Sequence, residues 1–327
     1  MKKIILKPNL DMSPVLLVVV DTEEEFDWNA PPDPNAIGTS HIKALPNWQK
    51  KAEQHGIKPC YVTDYPIANN PEAMELLCNW HKSGNAELGA HCHPWVNPPI
   101  KEVISPKNTY PGNLTESLES EKIKQIKSKL ENRLGEPLRV YKAGRYGFGP
   151  NTAKILTENG FDIDLSLCPA FDFRSDGGPD YRNEDPNIKI YENDLRQLMS
   201  IPLSSAHVGW GGRAMPMIDT ISRMMEWSKM PGILSRIKIV DRLKLSPEGF
   251  SSKEHQEVTR FLFNKGIRVF SWTFHSPSLE IGHTPYVKTL KDLENFYRSL
   301  DVYMNFFYNE LGGRCLTPTE LKKELLA

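Results

Sequence analysis

Six consecutive apolar residues, Val15-Leu-Leu-Val-Val-Val20, lead directly into Asp21-Thr-Glu-Glu-Glu-Phe-Asp-Trp28. An unbroken, valine-rich run of this length predicts a strand buried on both faces, as in parallel sheets covered by helices. It is far too short to span a membrane. The acidic run begins where such a strand ends, which is where β/α barrels keep their functional groups. Along an extended chain Asp21 and Glu23 share one side, while Thr22 and Glu24 take the other.

The rest of the chain repeats the theme. Residues 57–63, 86–90, 138–142, 161–167, 198–202 and 267–273 have the composition of further strands. Between and after them, helices are predicted over 42–55, 71–82, 116–134, 150–158, 215–230, 252–265, 288–311 and 318–326, several stopped by a glycine. The methionines of 215–230 fit a core face, and the lysines of 116–134 a solvated one. Strands alternating with helices at this spacing predict βαβ units, a parallel sheet and the α/β class. With no internal repeat or linker, 327 residues suit a single barrel domain over 1–327, its core at about 15–311. Residues 94–115 form a loop rich in Pro and Asn, of a length that usually serves as a rim or lid.

A formal net charge of −1 argues against nucleic acid or an acidic membrane as partner. The five cysteines (60, 78, 92, 168 and 315) are odd in number and contain no C-x-x-C pair, the usage expected of reduced thiols. The apolar patch at 4–6 is too short for a signal-peptide core. A cytoplasmic protein with no membrane span is the expectation; oligomeric state is not legible.

The densest chemistry lies in Glu87-Leu-Gly-Ala-His-Cys-His-Pro-Trp95. His91 and His93, two residues apart, point to one side of an extended segment, Cys92 points to the other, and imidazole is the commonest metal ligand. Lys142 to Tyr146 and His275 also follow predicted strands. A barrel would bring all of these to one mouth. His283 and His207 are candidates for lining it. His41, His55, His81 and His255 are expected on helix surfaces or edges. Trp95, Tyr146, Trp210 and Trp272 are candidates for stacking on a ligand, against a core role typical of such residues. No glycine pattern of a nucleotide loop is present.

Taken in order, Val20-Asp-Thr-Glu23, Glu87-Leu-Gly-Ala-His91, Tyr141-Lys-Ala-Gly-Arg-Tyr146 and Phe274-His275 resemble the four motifs of polysaccharide deacetylases with a NodB-homology domain, and among those the WalW-type deacetylases. The resemblance covers about residues 15–280. It implies a distorted (β/α) barrel, usually of seven parallel strands, holding Zn²⁺ or a similar divalent ion and hydrolysing the N-acetyl amide of an amino sugar or glycan. Carried over by position, Asp21 matches the general base, Glu23 the metal carboxylate, His91 the first metal histidine and His275 the general acid. Arg145, or Lys142 in its place, matches the cation that orients the base. Lys142, Tyr146, Trp95 and His283 are then substrate-binding candidates. Two positions depart from the family: Glu23 stands where Asp is usual, and Trp95 where the second metal histidine is usual, leaving His93 as its substitute. Two alternatives accompany this reading, a metal-independent amide hydrolase of the same superfamily and a catalytically silent glycan- or partner-binding barrel. An amidohydrolase-type site is disfavoured, because there the H-x-H pair follows the first strand. A cytoplasmic precursor is the expected substrate.

Overall fold

The computed structural model describes residues 1–192, 196–208 and 241–326. The predicted helix over 215–230 and Trp210 lie outside the described residues. The strands are β1 (Lys2–Leu6), β2 (Val15–Thr22), β3 (Cys60–Thr63), β4 (Glu87–Cys92), β5 (Val140–Ala143), β6 (Ile163–Asp164), β7 (Ile188–Glu192), β8 (Gln197–Ser200), β9 (Ser205–Val208), β10 (Asp241–Lys244), β11 (Val269–His275) and β12 (Arg314–Cys315).

Seven of them, β11-β2-β3-β4-β5-β6-β8, form a continuous parallel ladder. This is the distorted α/β barrel expected from the sequence. The ladder stays open between β8 and β11. There the chain leaving β8 crosses over: the Ser271 N–H donates to Ser204 Oγ at 2.9 Å and the Thr273 N–H to the Leu245 carbonyl at 3.2 Å. Beyond β8 the sheet continues as an antiparallel edge, β7 then β1. The apolar patch at 4–6 is therefore an edge strand. Both β1 and β7 escaped sequence analysis because each is short and lies in a segment rich in turn residues.

β2 shows why the pattern works. Leu16, Val18 and Val20 pack outward against helix residues such as Trp48 and Ile123, whereas Val15, Leu17 and Val19 face inward with Val62, Val140, Ile163 and Met199. The inward register continues into Asp21, Lys142 and Thr273, which cap the apolar interior with polar groups. Gly89 lies one layer below His91. A Cβ there would stand 2.8 Å from Val62 Cγ1 and 3.1 Å from the Val140 carbonyl, so the strands could not close this tightly around another residue.

Helices Pro71–Lys82, Glu116–Leu134, Ser252–Asn264, Leu290–Asn309 and Pro318–Leu326 form where the periodicity places them. The first, predicted over 42–55, opens instead as a 3₁₀ turn (Ser40–Ala44) before Leu45–Gln54. A short helix, Tyr65–Asn69, capped by the Asp64 carboxylate, carries no periodic signal. Among the described residues no helix is long and apolar enough to cross a membrane. All five cysteines are free thiols.

The lysine face of 116–134 needs one correction. Lys122 is fully buried, its ammonium donating to the carbonyls of Pro94 (2.9 Å), Asn97 (2.7 Å) and Pro99 (2.7 Å) and standing 3.0 Å from Glu102. The loop after His93 folds back over this helix, so the position that a solitary amphipathic helix would expose is covered. On the same helix Glu119 accepts from the Thr152 hydroxyl, and burial pushes its carboxyl up to about 7. Between the ordinary carboxyl range and pH 7 the folded chain then holds a proton that the unfolded chain releases, so this group lowers stability as pH rises through that window. Glu119→Gln is expected to match wild type in urea unfolding near pH 4.5. At pH 8 it should exceed it by roughly 1–3 kcal/mol. An equal gap at both values would contradict this.

Candidate active site

At the mouth of the barrel, register alone brings distant residues together: His275 is level with Asp21, and His91 with Lys142. The Lys142 ammonium donates to both Asp21 oxygens, at 2.5 and 2.6 Å, and to Thr273 Oγ1 at 2.9 Å. Burial alone would raise the Asp21 carboxyl. The ammonium against it, helped by His91 and His275, overrides burial and holds it at about 2. Asp21 is thus an anion throughout the neutral range.

His275 Nε2 stands 3.7 Å from Asp21 Oδ2. Its Nδ1 pairs with Glu248 Oε2 at 2.7 Å, while its backbone N–H donates to Glu248 Oε1 at 3.1 Å. The Ser278 hydroxyl completes the grip on that carboxylate at 2.5 Å. Sequence analysis missed Glu248. It sits in an aperiodic Ser246-Pro-Glu-Gly249 turn, with nothing in its neighbours to single it out.

On the other side Glu23, His91 and His93 converge, with one ligand atom of each within 4.8 Å of the others. His91 Nδ1 lies 3.0 Å from the Lys142 carbonyl, which can only accept, so this nitrogen carries the proton and Nε2 a lone pair. His93 Nδ1 faces Glu24 Oε2 at 2.8 Å, the carboxylate–histidine arrangement that leaves its Nε2 free as well. The two Nε2 atoms are 3.1 Å apart and each is 3.5 Å from Glu23 Oε2. The other Glu23 oxygen is buried without a partner. Burial pushes both imidazoles down, His93 to about 4, so both are neutral at pH 7, the form that ligates metals. Burial, then the Asp21 and Glu24 carboxylates, pushes Glu23 well up, a cost that a cation at this point would relieve. Lone pairs from two nitrogens and an oxygen facing one buried point fit a divalent ion, and N/N/O is a zinc-type donor set.

Behind these three side chains stands a supporting layer. The Glu24 N–H donates to Asp64 Oδ2 at 2.8 Å, and Asp64 in turn caps the 65–69 helix. Glu24 thus leaves the side that simple alternation assigns it, because β2 ends at Thr22 and the chain turns. Trp95 does not ligate. Its ring stacks on His93 with centroids 4.2 Å apart and planes 20° from parallel, holding the imidazole orientation. Cys92 is buried on the outward, helix-packed side, away from both histidines.

These groups floor a cleft of about 670 Å³. Trp28, from the acidic run but not among the sequence candidates, meets His275 edge-on at 4.8 Å, and Tyr286 backs Trp28 at 5.8 Å. Tyr146 and Arg145 line the opposite wall, both with left-handed backbone (φ 58° and 52°), a strained pair of the kind that gathers at functional sites. Arg145 does not reach Asp21. Its guanidinium binds the Thr109 hydroxyl at 2.6 Å and Asp176, and lies over Tyr110. Lys142 occupies the position beside the carboxylate. His283 lines the rim, 3.6 Å from Glu25 and 3.8 Å from Glu280. His207 lies on β9 outside the cleft lining, and Trp272 is a core residue against Tyr303.

Two histidines expected at the surface are buried. His41 bridges Glu25 Oε1 (2.9 Å) and Ser276 Oγ (2.7 Å), and His255 bonds the Ser246 carbonyl at 2.6 Å. Both lie on helical segments whose inner faces meet loops leaving the sheet, a contact that helical periodicity does not encode. His55 and His81, at helix ends, pair with Asp301 and Glu136 near the surface as expected.

No protein-family model matches the chain, and no curated protein matches it significantly. Solved structures do match in fold. A candidate polysaccharide deacetylase from Mycobacterium smegmatis aligns with a TM-score of 0.53 at 12% identity, over 97% of this chain and 92% of that one. A 4-alpha-glucanotransferase from Thermococcus litoralis gives 0.53 at 12% identity, over 96% of this chain but only 41% of that one. The Bc1960 peptidoglycan N-acetylglucosamine deacetylase gives 0.45 at 12% identity, over 94% and 86%. What the chain shares with the first two is a fold, found in a candidate deacetylase and in a glucanotransferase alike, and fold by itself fixes no chemistry.

Proposed function

We propose that this protein is a metal-assisted hydrolase that removes an N-acetyl group from an amino sugar or glycan, and that residues 1–327 act as one deacetylase domain resembling the WalW-type enzymes. The observation that carries this reading is the convergence of the His91 and His93 Nε2 lone pairs on Glu23, beside a carboxylate held as an anion by Lys142. Glu23, His91 and His93 would hold the ion, with Glu24 fixing the His93 tautomer. A divalent ion bound there acidifies a water and polarises the acyl oxygen.

The chain's own residues supply the rest. Asp21 accepts the water's proton. Because Lys142 favours its ionised form so strongly, Asp21 is a weak base that readily surrenders a proton it has accepted. His275, aimed by Glu248, gives a proton to the leaving amine nitrogen, which departs poorly as an anion. Lys142 is the cation that orients Asp21, the role for which the family pattern left Arg145 and Lys142 as alternatives, while Arg145 belongs to the substrate wall with Tyr146 and His283. Trp28, half-buried at the cleft, offers apolar surface to a sugar ring, while Trp95, buried against His93, serves the site by holding that imidazole. The free cysteines support a reducing compartment, and hence a cytoplasmic glycan precursor as substrate.

The test is acetate release from N-acetylglucosamine-containing oligosaccharides before and after chelation. Activity that vanishes with chelator and returns with zinc supports the proposal. Activity indifferent to chelation would move the chemistry to metal-free amide hydrolysis, and none under any metal would leave a binding barrel.

A further inference from the structure

We propose that one wall of the cleft is a subsite for an anionic group carried by the substrate, anchored by Lys244; this rests on the amino-sugar reading above and names its substrate class more closely. Lys244 and Arg242 are two residues apart on β10 and so share a face. The Lys244 ammonium lies 5.8 Å from the centroid of Tyr146, and the Arg242 guanidinium 5.0 Å from that of Phe171. Phe173 joins the two rings, stacked on Tyr146 at 5.4 Å and on Phe171 at 6.1 Å. Three rings therefore make a continuous shelf with a cation over each end.

The inner end of the shelf adjoins the reaction centre, because the same Tyr146 ring has the Lys142 ammonium 5.3 Å from its centroid. One aromatic ring separates Lys244 from the Asp21–Lys142 pair. Lys244 is half-buried and lines the cleft, and the Tyr146 hydroxyl beside it is buried without a hydrogen-bond partner.

Charge matching makes the case. Along the segment that carries Phe171 and Phe173, and at Arg145 of the cleft lining, cations and carboxylates are paired: Arg145 with Asp176, Arg174 with Asp172, Arg182 with Asp180. Lys244 and Arg242 make no ion pair with any of the described residues. The other cleft-lining acids outside the reaction centre are engaged as well: Glu25 by Ser40 and His41, and Asp27 and Asp33 by N–H groups of their own loop. A cation–π contact offsets only part of the solvation lost by a half-buried ammonium. An anion bound along the shelf completes it, with the Tyr146 hydroxyl as a further donor. Among the described residues the charge of Lys244 is felt by the buried Glu248 carboxylate, which is already held by His275 and Ser278, and a neutral sugar brings no counter-charge of its own. The shared chemistry is a phosphate ester or a carboxylate on the sugar.

Equilibrium binding to the full-length zinc-loaded protein, followed by tryptophan fluorescence, decides it. The probes are N-acetylglucosamine, N-acetylglucosamine 1-phosphate and N-acetylmuramic acid, each against wild type, Lys244→Met and Lys244→Arg. At least one anionic sugar should bind wild type more tightly than the neutral one, by about fivefold or more, and which one does so identifies the anion. Lys244→Met should erase the difference and Lys244→Arg retain it. Equal binding of neutral and anionic sugars, or no binding of either anion, overturns the proposal. So does a preference that survives in Lys244→Met, which would place the anion on the metal instead. Anion preference without acetate release would keep the subsite and reject the hydrolase reading, so the two fail separately.

Discussion

Lys142→Met is expected to destabilise the protein by about 3–5 kcal/mol, because it strands the Asp21 carboxylate in the barrel interior without its counter-charge. The side chain is 2% exposed and both carboxylate oxygens depend on it. Asp21→Asn should also destabilise, since it leaves a buried ammonium facing an amide. The double variant Asp21→Asn/Lys142→Met removes both charges and should recover most of the loss. Urea unfolding of the four proteins yields the coupling energy directly. If the double variant loses the sum of the single losses, the pair is not the electrostatic unit described here. Turnover behaves differently, and all three variants should lose at least about 100-fold in kcat, the usual contribution of a positioned base. Acid adds an independent check. Asp21 titrates lower in the folded chain than in the unfolded one, so its stabilisation is complete above the ordinary carboxyl range, near pH 4, and is lost as pH falls toward 2.

His91→Ala and His93→Ala should each abolish stoichiometric zinc, measured by elemental analysis of purified protein. Glu24→Gln should retain the ion but weaken its affinity by about 10–100-fold, the usual effect of removing a carboxylate behind a metal histidine. The contrast matters. A protein that used His93 only to stack on Trp95 would keep its zinc in His93→Ala, and one in which Glu24 were itself a ligand would lose it in Glu24→Gln. Both changes leave the outward-facing core beneath β4 untouched, so circular dichroism should match wild type.

Most of the barrel was legible in the sequence, for a definite reason. Parallel strands buried on both faces must be apolar almost throughout, and the helices between them must be amphipathic, so residues 15–20, 86–90 and 267–273 announce themselves. Polar residues at the ends of such strands point to a shared mouth, which is how Asp21, His91 and His275 are found from 15–20, 86–90 and 267–273 alone. The H-x-H spacing of His91 and His93 likewise implies a common target.

Tertiary structure alone decided the partners. Lys142 rather than Arg145 meets Asp21, because β5 delivers Lys142 in the inward register, while Arg145 lies beyond the strand end in a left-handed turn that carries it to Asp176. Glu248 and Trp28 reach His275 from loops whose paths no periodicity encodes. Glu24 reaches His93 because β2 ends at Thr22, so strand alternation no longer holds two residues later. His41, His255 and Lys122 look like surface residues until the loops that cover them are placed. Local sequence thus determined which segments are strands and helices and which polar groups stand at the strand ends, since burial and periodicity act residue by residue. The pairing of those groups depends on register and loop closure, which are properties of the whole sheet.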